Sequence, residues 1–261
     1  MKTWMFVVFL ATGPILSADI VTSVTCTVDD SYGGPTSTIT DLYSCSLQSP
    51  DQGPFGAPAV ASATVSASFS LADNPNNFSS LSVDQRANAD LGRDPTGFYY
   101  LNSDARSQAS VNEALFTTGS VRSGFVQVSV TASSASNFRG SIGYLDLSLE
   151  HIAVSCFTFS PVASTCVFWP NGAHSVPGYE VPPSGESPFT GYFPFTLGQA
   201  FNFSYSGFAE AIPDSLGYGD NGYANIQFQF RFLEADGVTP VAVESVELAR
   251  NSVESERPSK S

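Results

Sequence analysis

The chain is 261 residues long, 42% hydrophobic and 13% charged, and carries a formal net charge of -14. That length exceeds a typical domain, yet all-β sandwiches of this size are commonly single. With 24 acids against 10 Lys and Arg, it would repel a phosphate backbone, which excludes nucleic acid and anionic membrane surfaces as partners.

Residues 1–18 read as a secretory signal peptide. Lys2 forms the basic start, Trp4 to Leu10 the apolar stretch, Gly13 and Pro14 a break, and Ile15 to Ala18 a small-residue cleavage site. The apolar run falls short of the ~20 residues a membrane span needs, so no transmembrane span is expected in the mature chain. A buried N-terminal strand or a short membrane anchor is the alternative. Residues 19–248 are then a single domain and 249–261 a polar, disordered tail.

Alternation of apolar and polar residues is the main signal in the mature chain, because successive side chains of a strand point to opposite faces. Val24, Cys26 and Val28 alternate, with Val21 out of phase, and Tyr43, Cys45 and Leu47 do so again beyond an acidic turn. After a Pro/Gly loop at 49–58, Ala59, Ala61, Ala63, Val65, Ala67, Phe69 and Leu71 give a long strand with a small-residue core face. Residues 81–91 fit both a strand and one helical face; strand is the better reading. A polar connection follows the turn at 93–97. Val111 to Phe116 and Gly124 to Thr131 then bracket a Gly-containing turn. Leu145, Leu147 and Leu149 lie out of phase with Ile152, Val154 and Cys156, which points to a bulge or bend at Glu150 and His151. Trp169 to Pro188 is a long Pro-rich loop.

Two runs of strict alternation follow. Phe201, Phe203, Tyr205, Gly207, Ala209 and Ala211 form one apolar stripe, and Ala224, Ile226, Phe228, Phe230 and Phe232 the other. Joined by one loop, they are expected to pair as antiparallel neighbours over an aromatic core. A turn at Asp236 and Gly237 and a short edge strand from Val241 to Val246, entered at Pro240, complete the set. Short strands at regular intervals without an amphipathic helix predict an all-β, antiparallel two-sheet sandwich, jelly-roll-like, with no clear internal repeat.

The four cysteines fall into two local pairs, Cys26 with Cys45 and Cys156 with Cys166, as expected of a disulfide-bonded exported protein; other connectivities stay open. Their spacing is too wide for a four-Cys zinc site.

Chemical motifs are few. Gly217, Gly219 and Gly222 spell G-x-G-x-x-G, but a strand follows where dinucleotide binding needs a helix. Once residues 1–18 are removed, Lys260 is the last lysine, which rules out a phosphate-loop or Schiff-base lysine in the core. His151 and His174 sit in no metalloprotease motif, and two histidines cannot make a three-His zinc site. Glu150, Glu180, Glu186 and Glu210 are possible halves of a carboxylate pair of the glycosidase kind, though nothing shows that any two converge. Asp214, Asp220 and Asn221 offer oxygens for a weak calcium site without the spacing of a calcium-binding loop. Trp169, Tyr179, Phe189, Tyr192 and Phe193 form an aromatic-rich region; Trp169, Tyr179 and Tyr192 are the candidates for stacking on sugar rings, with burial under the loop as the alternative. No cofactor is expected.

The segment Pro194 to Phe203, PFTLGQAFNF, and the later ANIQFQFRFLEADGVTPV resemble a group of uncharacterised bacterial exported proteins that often accompany the PEP-CTERM sorting system. Their shared pattern is a PFTFG-x-PF opening, an alternating strand rich in small residues, and a last strand ending in a D-x-x-G-x-x-V turn. Ala59 to Leu71 and Val111 to Val130 resemble that group's earlier strands. The resemblance implies export and a β-sandwich, with no activity to carry over. Beyond Val246 the Pro-Glu-Pro motif, apolar span and terminal Arg cluster are missing, so release or non-covalent retention is expected. The resulting expectation is a secreted, extracellular or periplasmic protein, non-enzymatic and structural or adhesive, with polysaccharide or other surface proteins as partners. The alternative is a carbohydrate-binding module or a glycan-active enzyme.

Overall fold

The computed structural model describes residues 19–29, 35–49, 58–93, 99–136, 142–149, 152–158, 165–170, 189–212 and 220–245. The expected leader at 1–18, the Pro-rich stretch 171–188 and the tail at 249–261 lie outside the described residues. Those described form no helix. The strands are β1 (Asp19–Asp29), β2 (Thr36–Asp41), β3 (Ser44–Gln48), β4 (Val60–Ser70), β5 (Ser79–Asp90), β6 (Gly92–Arg93), β7 (Tyr99–Leu101), β8 (Ser103–Thr117) and β9 (Arg122–Ser136). They continue with β10 (Ile142–Leu149), β11 (Ile152–Thr158), β12 (Thr165–Pro170), β13 (Phe189–Leu197), β14 (Ala200–Ala211), β15 (Asp220–Glu234), β16 (Pro240–Val241) and β17 (Val243–Ser245).

Apart from β6 and β7, which pair with each other, these strands form a two-sheet antiparallel sandwich. Sheet I runs β12-β11-β10-β14-β8-β1-β2 with β17 on β8, and sheet II runs β13-β9-β15-β5-β4-β3 with β16 on β15. The two strongest alternating runs, β14 and β15, are not neighbours in one sheet. They lie in opposite sheets, and every inward residue of both stripes is buried. Side by side, the stripes would share one face that still needed a cover; face to face, each covers the other. Phe201 meets Phe230 and Phe232 with ring centroids 5.8 and 5.1 Å apart, and Phe203 meets Phe228 and Phe230 at 6.3 and 6.0 Å. Phe195 of β13 joins this cluster at 5.4 Å from Phe201, and Phe69 of β4 lies 5.2 Å from Phe203.

Toward the other end the interior residues shrink. Ala61 pairs with Ala89 and Ala63 with Ala87 in sheet II, and Ala105 pairs with Ala211 in sheet I. The Cys26–Cys45 disulfide sits here, with Cys26 opposite Ala105 and Cys45 opposite Ala63. It therefore ties β1 of sheet I to β3 of sheet II, instead of joining adjacent strands of one sheet. The Cα atoms are 6.0 Å apart, whereas facing sheets ordinarily sit about 10 Å apart. Only methyl-sized neighbours let the backbones approach that closely, so the alanine face is a condition for the crosslink.

Between the aromatic and alanine ends lies one buried polar bridge. Tyr205 of β14 donates from its hydroxyl to Oε1 of Gln85 in β5 at 2.5 Å, and Gln85 Nε2 donates to the Gly207 carbonyl at 2.6 Å. Gln85 is 0% exposed and Tyr205 1%, so the carboxamide finds in the opposite sheet the partners that burial demands. Gly207 makes room, since a Cβ there would run into the Tyr205 hydroxyl and stand 2.6 Å from Gln85 Oε1.

The topology holds a repeat that composition conceals. Sheet I contains β1-β8-β14-β10 in order and sheet II contains β9-β15-β5-β4. Matching β1, β4, β5 and β8 to β9, β10, β14 and β15 converts one sheet's order into the other's. The registers follow: Val111 pairs with Tyr205 and Ala109 with Gly207, while Ile226 pairs with Val83 and Ala224 with Gln85. Leu81, Val83, Gln85, Ala87 and Ala89 thus correspond to Phe203, Tyr205, Gly207, Ala209 and Ala211.

Three local expectations change. Residues 103–110 form the first half of β8, with Ser103, Ala105, Ser107 and Ala109 inward. Small inward residues made that half look like a polar connection. Trp169 and Pro170, expected to open the Pro-rich loop, instead end β12. The phase break after Leu149 separates two antiparallel strands, with Ser148 opposite Ala153, so a chain reversal accounts for it without a bulge. Residues 81–91 are strand through Asp90, and Asp236 turns the chain by accepting from the backbone amides of Val238 and Thr239.

Two outcomes follow from this core. Peptide mapping without reduction should join Cys26 to Cys45, and Cys156 to Cys166, which are register partners on β11 and β12; replacing Cys26 and Cys45 by Ser should cost about 2–4 kcal/mol in a denaturant titration. Gly207→Ala should cost about 1–3 kcal/mol by the same titration, because the new methyl has no room beside the Tyr205–Gln85 bridge.

Candidate functional site

With the interior filled, the chemistry available to a partner lies on the outer faces. Alternation sends Ser, Thr, Asn and Gln outward from most strands, and antiparallel register sets them in rows. On sheet II, Thr190 donates to Ser129 at 3.2 Å, and on sheet I Thr27 stands 3.3 Å from Thr38. Such rows are rich in hydrogen-bonding groups.

The most differentiated part of sheet II is a groove of 390 Å³ across β5, β15 and β9, lined by Asp84, Arg86, Asn88, Ser133, Asn221, Gly222, Tyr223 and Asn225. Register builds it: Asn225 lies opposite Asp84, Tyr223 opposite Arg86, Asn221 opposite Asn88, and Ser133 opposite Asn225 on the other side. Arg86 donates from Nε to Asp84 Oδ1 at 2.8 Å and from Nη2 to Oδ2 at 3.1 Å, a two-point grip that fixes its guanidinium. Asn225 donates to the same carboxylate at 3.2 Å. The bond from Arg86 holds the Asp84 carboxyl below its usual range, so it stays ionised and the pair is neutral as a unit. Tyr223 is 39% exposed beside this pair. Among the described residues, no side-chain hydrogen bond engages Asn88, Asn221 or Ser133.

The repeat places a second cluster at the corresponding rows of sheet I. There Arg106 lies 3.4 Å from Glu210, its register partner, and its guanidinium sits 4.5 Å over the Phe208 ring. Two residues before Arg106, Asp104 keeps one buried oxygen without a hydrogen-bond partner. Burial first and the Glu210 charge second raise its carboxyl above the ordinary Asp range. The cation here covers the aromatic face, whereas Tyr223 in the groove is partly bare.

Most of the expected site residues lie outside what is described. Tyr192 is half-buried on the outer side of β13 opposite Gln127, and Tyr223 lies opposite Ala135, about 26 Å further along β9. Trp169 lies on β12 at the edge of sheet I, its side chain beyond what is described, and Tyr179 falls wholly outside the described residues. Phe193, by contrast, is fully buried, as the core alternative required. Of the calcium candidates, Asp214 lies outside the described residues and so does the Asp220 side chain, while Asn221 lines the groove among amides. No cluster of three His, Cys, Asp or Glu able to hold a metal occurs among the described residues. Asp220, Asn221 and Gly222 open β15, so a strand follows the glycine-rich motif. Glu150, Glu180, Glu186, His151 and His174 fall outside the described residues.

Asp84, Arg86, Asn88 and Tyr223 went unnoticed in the sequence because a groove across three strands needs the register. The available signal was the polar phase of 81–91, which gathers an acid, a base and an amide on one face.

Comparison with protein-family models, curated proteins and solved structures finds no match. Among the described residues no helix is long and apolar enough to cross a membrane.

Asp104→Asn keeps the shape and removes a charge that folding disfavours. A carboxyl raised in the folded state binds its proton more tightly there, so wild-type stability should gain as pH falls toward that raised value. Thermal melts should show Asp104→Asn above wild type at pH 7, with the gap closing as the pH is lowered into the carboxylate range.

Proposed function

We propose that this chain is an exported, non-enzymatic β-sandwich acting as a structural or adhesive component of a bacterial surface or extracellular matrix. The observation that carries the reading is the pair of outer faces, set mostly with Ser, Thr, Asn and Gln, on which Arg86 and Arg106 are each paired with an acid. Such faces make many weak, salt-insensitive hydrogen bonds. The cross-sheet disulfide supports maturation in an oxidising compartment. The leader-like residues 1–18 and the likeness to exported proteins of the PEP-CTERM-associated kind support the same route. A second reading, a carbohydrate-binding module, is favoured by the groove beside Tyr223.

Fractionation of a bacterial host expressing the full chain tests the proposal. The protein should be found outside the cytoplasm, oxidised and beginning at Asp19, and the purified protein should stay on washed extracellular matrix at high salt. Cytoplasmic retention with reduced Cys26 and Cys45, or complete elution from matrix by buffer, would contradict it.

A further inference from the structure

We infer that the groove between β5 and β15 is a binding site for a neutral polysaccharide, with Tyr223 as the wall for a sugar ring and Asn88, Asn221 and Ser133 as its hydrogen-bonding floor. This deepens the second reading above, a carbohydrate-binding module, and rests on it.

The ligand class follows from the charges and from the free groups. Arg86 is gripped at two points by Asp84, at 2.8 and 3.1 Å, so its charge is already matched, and an anion reaching its remaining N–H groups would meet the Asp84 carboxylate beside them. A cation would meet one carboxylate with both oxygens engaged, Oδ2 by Arg86 and Asn225 and Oδ1 by Arg86. The groove therefore selects an uncharged partner. A carboxamide offers both a donor and an acceptor, which is what hydroxyls need, since each hydroxyl gives one hydrogen and accepts others. Asn88 and Asn221 face each other across β5 and β15 and supply two such groups, with Ser133 adding a hydroxyl from β9. The axial C–H groups of a pyranose present an apolar face, for which the exposed Tyr223 ring beside these amides is a fitting surface. At 390 Å³ the groove falls in the range of ligand sites, roughly 300–1,000 Å³.

The corresponding rows of sheet I serve as an internal comparison. There the aromatic residue is Phe208, its face covered by Arg106 at 4.5 Å, and the acid is Glu210 at 3.4 Å from that guanidinium. The repeat thus provides one open aromatic and one covered by a cation, and the site is assigned to the open one.

Affinity gel electrophoresis of the oxidised chain tests the inference, using hydroxyethylcellulose, laminarin, galactomannan and dextran as neutral probes and polygalacturonate as the anionic one. At least one neutral probe should retard the protein. Tyr223→Ala should weaken that retardation about tenfold, the loss of one ring-stacking contact. Tyr223→Phe should stay near wild type, Asn88→Ala with Asn221→Ala should weaken it further, and Thr25→Ala on sheet I should leave it unchanged. Circular dichroism on each variant separates lost binding from lost fold. Retardation by none of the neutral probes, by polygalacturonate alone, or to an equal degree in folded Tyr223→Ala would overturn the site. Matrix retention without neutral-probe binding would remove this inference and leave the proposed function standing; neutral-probe binding without matrix retention would do the reverse.

Discussion

The fold depends on β14 and β15 covering each other from opposite sheets. Each strand carries a continuous apolar stripe, and their rings pack on each other with Phe69 and Phe195 closing the sides. Once Phe201 and Phe203 lie against Phe228, Phe230 and Phe232, the two strands set the centres of their sheets, β10 and β8 flanking one, β9 and β5 the other. The spacing at this end is that of stacked aromatic rings. Away from it the inward residues become alanine, and the sheets close until a disulfide spans them at a Cα separation of 6.0 Å. A change in side-chain size along the strands thus shapes the interior and determines where a crosslink fits.

The Gln85 bridge fits the same logic. It sits where large gives way to small, at the equivalent position to Gly207 in the topological repeat, and one residue's side chain fills the space the other leaves. A carboxamide sealed in this place has no solvent to turn to, so its bonds to Tyr205 and Gly207 depend on one alignment of the sheets. With the interior so committed, what varies freely is the outward phase of each strand. Tyr223, Arg86 and Asn88 lie on that phase, on strands whose inward residues hold them rigidly.

Much of this was legible in the sequence. Strict alternation in 59–71, 201–211 and 224–232 marked the inward residues, and the even cysteine count marked the disulfide-bonded character. Alternation, however, says which side a residue faces and nothing about which strand lies beside it. The loop between β14 and β15 looked like a hairpin because sequence neighbours usually pair; the need of two aromatic stripes for mutual cover decided otherwise. Ser103, Ala105 and Ser107 hid half a strand, since small inward residues resemble a polar loop in composition. The repeat was hidden by substitutions such as Leu81 for Phe203 and Gln85 for Gly207, visible only once the registers matched. The groove was illegible for the same reason, being a property of rows across three strands.

A sandwich organised this way leaves the outward phase of its strands as a broad face on each sheet, the ground of the proposed role. That account stands on the two aromatic strands facing each other across the core. Nuclear Overhauser spectra of the oxidised chain test it most directly. The account predicts ring-to-ring cross-peaks between Phe201 or Phe203 and Phe230 or Phe232, with Hα–Hα cross-peaks linking β14 to β8 and β10. A ladder of Hα–Hα cross-peaks between 200–211 and 222–232 would make the two strands neighbours in one sheet and contradict it.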